Sequence, residues 1–313
     1  MSRPAATASA GLRGRFAAAL YLHPGMAVFL LLLPPLLWLG TVYLGSLLSL
    51  LAQAAWSVDD YTGEVVRTPT LATFRTLLGQ PANLDIVLRS VAMSVAVTVA
   101  AVVVAFPVAY YMARHATGRT RTLFHVSVML PMWTSYLVKV YAWRLILARS
   151  GVASWLADHA GLGRALEALL QLPLLGGPSL AASYLGMFVV FLYMWLPFVI
   201  LPIEAALERV PHSLLEASGD LGATPWRSFR HVTLPLAVPG IAAGSIFAFS
   251  LTLGDYIIPQ VVGAPGYFIG MMVYEQQGTA GNLPLAAAFS IVPILLIGLY
   301  LLLARRLGAF DAL

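Results

Sequence analysis

Long apolar runs alternate with short polar stretches along the whole chain. A bilayer core of about 30 Å takes about 20 apolar helical residues to cross. Six segments are that long: 25–51, 86–112, 123–147, 181–202, 239–258 and 284–304. The first follows Arg13 and Arg15 and is trailed by Ala52-Gln53-Ala54, which imitates a cleavage site. Its apolar run is much longer than the roughly 7–15 residues of a secretory signal, so it reads as a retained span. The pattern predicts an all-α integral membrane fold with six transmembrane helices.

The polar stretches give the topology. Residues 1–24 read as a basic N-terminal tail with a short amphipathic helix before the first span, and 307–313 as a C-terminal tail. With the N-terminus cytoplasmic, the inner side holds Arg3, Arg13, Arg15, Arg114, Arg119, Arg121, Arg209, Arg227, Arg230, Arg305 and Arg306, and the outer side only Arg67, Arg75, Arg149 and Arg164. The excess of basic residues marks the cytoplasmic face, which puts both termini inside. Three external segments remain: 52–85, acidic; 148–180, with a short helix around 162–171; and 259–283, rich in Gly and Gln. Prolines 34, 35, 107, 131 and 197 fall inside spans, where each removes a backbone donor. No sequence repeat or low-complexity tract appears.

Composition agrees. The chain of 313 residues is 60% hydrophobic and 10% charged, against about 25% charged in a soluble domain, and its mean hydropathy is +0.85. The isoelectric point near 9.6 raises nucleic acid, but the basic residues sit at span ends rather than on one face. Without cysteine there is no disulfide framework and no thiolate ligand. No Gly-x-x-x-x-Gly-Lys-Ser/Thr loop is present to cradle phosphates, and the one lysine, Lys139, lies in a span. No catalytic, metal or cofactor motif is read in this chain.

The most specific motif lies in the polar segment 203–235. Glu216-Ala217-Ser218 is followed after three residues by Gly222, and after nine more by Val232, any residue, then Leu234-Pro235. Ser213 is positioned to cap one short helix, which ends between Asp220 and Gly222. Thr224-Pro225 starts a second, with Thr as N-cap and Pro in the first helical position. Trp226 and Phe229 share one face of it, and Leu234-Pro235 closes it before the next span. A second triplet, Glu204-Ala205-Ala206, has Val210 where the glycine belongs and lacks the spacing.

Within six spans, this pattern resembles the permease subunits of type I binding-protein-dependent ABC importers, with Ser218 in place of the second Ala and Val232 in place of Ile. Leu130-Pro131-Met132-Trp133-Thr134-Ser135-Tyr136, Tyr141-Ala142-Trp143 and Leu253-Gly254-Asp255-Tyr256 are similar to the spermidine/putrescine branch, and the chain resembles the first of its two paired permeases. The resemblance implies a multi-pass subunit of a bacterial inner membrane. It would assemble with a second homologous permease, two ATP-binding subunits that hold ATP-Mg, and an extracytoplasmic substrate-binding protein. The elbow at 203–235 would be the coupling loop that docks on the ATPase.

Ionisable residues inside spans cost at least about 2.5–3.5 kcal/mol at the bilayer centre; here they are Arg89, Lys139, Arg144 and Asp255. Asp255 and Tyr256 suit a cationic substrate near the outer mouth, or Asp255 forms an internal ion pair with Lys139 or Arg144. Tyr136, Lys139 and Trp143 share one helical face, and with Trp133 they either stack on alkylammonium groups or form an interfacial belt. Glu275 is a further acceptor on the outer side. Three embedded cations to one anion fit a polyamine poorly, which leaves an aminophosphonate or an anion as the other substrate class. A secondary transporter would show internal repeats and proton-relay carboxylates and would leave the elbow unexplained. An intramembrane enzyme would need a His/Asp/Glu cluster or Ser/His dyad inside the spans.

Overall fold

A computed structural model describes residues 21–306 apart from His23, Asp60, Leu174 and Pro265. The proposed tails 1–20 and 307–313, with the amphipathic helix placed in the first, lie outside the described residues. The chain divides into two compact units at Gln53. In the first, α1 (Pro24–Trp38), a π-helical stretch Leu39–Leu44 and α2 (Gly45–Gln53) make one apolar helix. Pro34 and Pro35 lie inside it, and each withholds an N–H from the carbonyl four residues earlier.

The second unit begins with a two-stranded antiparallel hairpin, β1 (Ser57–Val58) and β2 (Val65–Val66). Asp59 turns it, accepting from the backbone N–H of Tyr61 at 2.8 Å and of Thr62 at 3.0 Å. The Thr62 and Tyr61 amides hold its carboxyl below the usual range. The short helix α3 (Ala72–Gly79) leads into α4 (Pro81–Arg114), whose 34 residues reach about 51 Å. Next come α5 (Gly118–Trp133), α6 (Tyr136–Ile146), the short pair α7 (Val152–His159) and α8 (Gly163–Leu170), and α9 (Tyr184–Glu208).

Among the described residues, five helices are long and apolar enough to cross a membrane, or six when α5 and α6 count as one broken span. The segment 123–147, expected as one helix, is thus two, meeting at 98°. The break falls at Thr134 and Ser135, both extended, just past Pro131. Lys139 Nζ and Thr134 Oγ1 each donate to the Pro131 carbonyl at 2.8 Å, serving an acceptor that the bent helix no longer serves.

In the core, α9 packs against α4 and against α12 (Leu234–Gly254), and α12 against α4. Association inside lipid gains little from the hydrophobic effect, so close backbone approach through small residues carries it. α4 turns Ser90, Ser94, Ala101, Ala105 and Ala109 inward. Ser90, Ser94 and Thr98 donate back to their own i−4 carbonyls, and Ser90 Oγ also accepts from the Ile269 N–H at 2.9 Å. α12 presents Ala237, Gly240, Gly244 and Ala248. A Cβ on Gly240 would stand 2.5 Å from both the Ala206 Cβ and the Pro202 carbonyl, and one on Gly244 3.0 Å from the Val199 Cα. Two helices joined by a polar loop are therefore in backbone contact.

α12 ends at Gly254, four residues short of the expected 258, because the chain turns extended at Asp255 and restarts as α13 (Ile257–Val261). The segment after it is largely helical, with α14 (Ile269–Gly278) packed on α15 (Leu283–Arg306). α15 meets α12 through the Phe249–Tyr300 stack, 5.0 Å between centroids, and the Tyr300 hydroxyl donating to Ser245 Oγ at 2.7 Å.

Gly240→Leu should prise α9 from α12 and cost roughly 1–3 kcal/mol or more, whereas Gly298→Ala, with nothing within 4 Å of its added carbon, should be neutral. Thermal unfolding of the two purified variants checks this; equal midpoints would remove the close contact as a determinant of stability.

Candidate functional site

The polar elbow between α9 and α12 is built from two short helices. α10 (His212–Asp220) begins one residue before the expected cap: the capping position is Pro211, which offers no side-chain bond, so Ser213 is not the cap. Its end is a Schellman closure, with Ala223 N–H donating to Ser218 O at 3.0 Å and Gly222 N–H to Gly219 O at 2.8 Å. Gly222 sits at φ +77°, with nothing within 4 Å of where its Cβ would be. The left-handed backbone, not crowding, requires glycine there. The three-residue spacing from Ser218 to Gly222 is thus the geometry of a helix end.

α11 (Pro225–Ser228) starts as expected, with Pro225 in its first turn and Thr224 Oγ1 accepting from Arg227 N–H at 3.4 Å. It does not end at Leu234-Pro235. A π-helical turn, Phe229–Thr233, carries it directly into α12, and this wider turn sits just before Pro235, which withholds its N–H from the continuous helix. Val232 is half-buried and Thr233 buried, so the chain enters the bundle here. The expected aromatic face divides. Trp226 stacks on Phe229 at 5.4 Å and stays 66% exposed, while Phe229 sets its edge against Phe106 and Tyr110 of α4 at 5.7 and 6.1 Å. Arg114 at the end of α4 donates to the Val210 carbonyl at 2.9 Å. The elbow is therefore clamped to α4 at both ends.

Ser218 does more than fill the space of an alanine: its hydroxyl bonds that of Ser228 at 2.5 Å and ties α10 to α11. Glu216 and Ala217 are exposed beside Leu214 and Leu221, the latter 89% exposed. Leu221 escaped the sequence reading, because an apolar residue at a helix end looks buried until the fold is known. A carboxylate, a small residue, two leucines and an indole on a braced support form a surface suited to a partner's cleft.

The second region lies at the opposite end of α12. Asp255 is half-buried, and its Oδ1 accepts from the N–H of Ile257 at 2.8 Å and of Ile258 at 2.9 Å, capping α13. Its Oδ2 accepts from the Tyr136 hydroxyl. Among the described residues no ion pair joins Asp255 to Lys139 or Arg144: Lys139 is spent on the Pro131 carbonyl, and Arg144 is exposed. Arg89 pairs with Asp85 and lies 5.6 Å over the Tyr184 ring.

The expected face of α6 rests largely on α9. Tyr136 stacks on Trp195 at 6.1 Å, and Trp143 leans on Tyr193 at 5.1 Å. Trp133, beyond the break, is 80% exposed and stands apart from them. A cavity of about 330 Å³ is lined by Trp195, Ser250, Leu251, Gly254, Asp255, Tyr256 and Ile257. Tyr256 stacks flat on Tyr274 at 4.9 Å and joins a second cavity of about 310 Å³. Glu275, next to Tyr274 on α14, lines neither cavity. Trp195 and Ser250 line the cavity, with Nε1 and Oγ buried and unpartnered, and carry no sequence signal beyond being polar-capable residues in apolar spans.

Comparison with known proteins fits this architecture. The family model of binding-protein-dependent transport system inner membrane components matches residues 105–309. The chain is 59% identical over 291 residues to the inner membrane ABC transporter permease protein YdcU of Escherichia coli (strain K12), covering 93% of each. It is 26% identical over 284 residues to the spermidine/putrescine transport system permease protein PotB of the same organism, covering 90% of this chain and 94% of that one. In fold it matches a chain from the crystal structure of a bacterial ABC transporter involved in the import of the acidic polysaccharide alginate, with a TM-score of 0.66 and 18% identity over 93% of this chain and 99% of that one. The chain belongs to the family of binding-protein-dependent transport system inner membrane components and is a permease subunit of an ABC importer of the bacterial inner membrane.

Proposed function

We propose that this permease forms half of a translocation pathway for a polyamine-like solute such as putrescine or spermidine. It does so beside a second, homologous permease, with two ATP-binding subunits on the elbow face and a substrate-binding protein on the other. It is a transport subunit and not an enzyme; ATP-Mg belongs to the partner ATPases. The observation that carries the substrate reading is the Asp255 carboxylate in an aromatic-lined cavity, supported by the likeness to PotB. A protonated amine would meet the Asp255 oxygen now held by Tyr136 and the faces of Tyr256 and Trp195, which attract cations. The unpartnered Trp195 Nε1, a donor only, favours a second reading: a solute that also carries an acceptor, such as an aminophosphonate.

In the same reading the elbow is the coupling loop, with N- and C-termini on its cytoplasmic side. Glu216, Ala217, Leu221 and Trp226 meet the ATPase cleft. Gly222 and the Ser218–Ser228 bond hold the two helices as one piece, and Val232, Leu234 and Pro235 seat it on α12. Bracing on α4 lets a movement of the ATPase reach α9 and α12 together.

Asp255→Asn keeps an acceptor for the Ile257 and Ile258 amides but removes the charge. A charged hydrogen bond contributes about 1.5–3 kcal/mol, so putrescine uptake by the reconstituted transporter should fall roughly tenfold or more at unchanged complex yield. Loss of assembly would make Asp255 structural, and unchanged uptake would place the amine elsewhere. At the elbow, Leu221→Asp or Ala217→Trp should leave membrane levels intact while abolishing substrate-stimulated ATP hydrolysis. Full stimulation in both variants would move the ATPase contact off this loop.

A further inference from the structure

The triplet Glu204-Ala205-Ala206 does not carry the coupling spacing, yet its glutamate occupies an unusual place. Glu204 is 3% exposed near the elbow end of α9, one helical turn before Glu208. His125 of α5 brings Nε2 to 3.1 Å from Glu204 Oε1, but that oxygen has no hydrogen-bond partner of proper geometry. His125 Nδ1 lies 3.0 Å from the Arg121 carbonyl. A carbonyl only accepts, so Nδ1 is the donor there, and a neutral imidazole then turns its Nε2 lone pair toward the carboxylate. Two acceptors that close need a positive centre between them.

We propose that this centre is a divalent transition-metal ion, Zn²⁺ by preference, bound by His125 Nε2, Glu204 Oε1 and a Glu208 carboxylate oxygen. Ligand atoms of the three residues all lie within 4.8 Å of one another. Two ligands each about 2.0–2.2 Å from a tetrahedral zinc stand about 3.3–3.6 Å apart, so the 3.1 Å separation of His125 and Glu204 needs to widen by only a few tenths of an ångström. An imidazole nitrogen in the set favours zinc over magnesium or calcium.

The surrounding groups complete the arrangement. Arg121 supplies both outer contacts: its carbonyl orients His125, and its guanidinium pairs with one Glu208 oxygen, leaving the other free to ligate. Glu208 is exposed and His125 half-buried, which gives the ion an entry path and a position for water. Bound metal would clasp α5 to the end of α9 that leads into the elbow helices. The site is separate from the substrate cavity and stands whatever solute is carried.

The test is metal retention by the whole purified transporter in nanodiscs, stripped with EDTA and titrated with ZnCl₂. The expected result is one saturable equivalent of Zn²⁺ assigned to this chain, weakened at least about tenfold in His125→Gln and in Glu204→Gln, with ATP hydrolysis of the zinc-free protein unchanged. If Glu204→Gln fails to assemble, Glu208→Gln at the more exposed carboxylate and the Co²⁺ absorption spectrum of the unaltered protein give the same reading. Zn²⁺ binding that is equal in the variants, an adventitious ion only, overturns the proposal. So does the absence of binding together with ¹⁵N shifts showing His125 as an imidazolium, which would mean that a proton bridges the pair.

Discussion

Everything in this fold rests on the approach of α12 to α9 at Gly240 and Gly244, where helix backbones are separated by less than a side chain. In water, burial of leucines could have joined the helices at a larger distance. Inside a bilayer lipid competes equally for such side chains, and the gain comes from dense backbone contact. The residues that hold this bundle are therefore its smallest. Because α9 and α12 are also the two arms of the elbow, this close contact joins the two helices that carry it.

Two interruptions of regular structure complement that rigid pair: the 98° break after Trp133 and the extended turn at Asp255. Broken backbone at membrane depth is tolerated only when its polar groups find partners. Lys139 serves the Pro131 carbonyl, and Asp255 serves the amides of α13. Tyr136, the first residue of α6, then links the two breaks by donating to Asp255. Two of the embedded cations thus have structural duties: Lys139 is a backbone donor, and Arg89 is paired with Asp85.

The elbow shows how a spaced motif encodes geometry. Glycine stands four positions after Ser218 because the Schellman closure of α10 needs a left-handed residue there. The aromatic pair splits its labour, Phe229 inward on α4 and Trp226 outward. Such a loop can be read at the level of family from sequence, while the serine-to-serine bond that makes it one body depends on Ser228, ten residues away.

Local composition was enough to reveal the apolar spans, whose length must match the bilayer, along with the Thr224-Pro225 helix start and the short helix at 163–170. It also revealed the elbow, whose residues are close along the chain. Features that depend on residues far apart were not legible. The break at 134–135 was invisible because both halves are apolar and hydropathy does not register direction. The continuity of α11 into α12 was hidden because Leu-Pro stops one helix and opens another equally well. Asp255 was legible as a special residue, but its two amides and its tyrosine, 119 positions earlier, were not. His125 and Glu204 lie 79 positions apart on separate helices, and only tertiary packing sets them 3.1 Å from one another. Hydropathy places residues in the membrane, and only packing decides which of them meet.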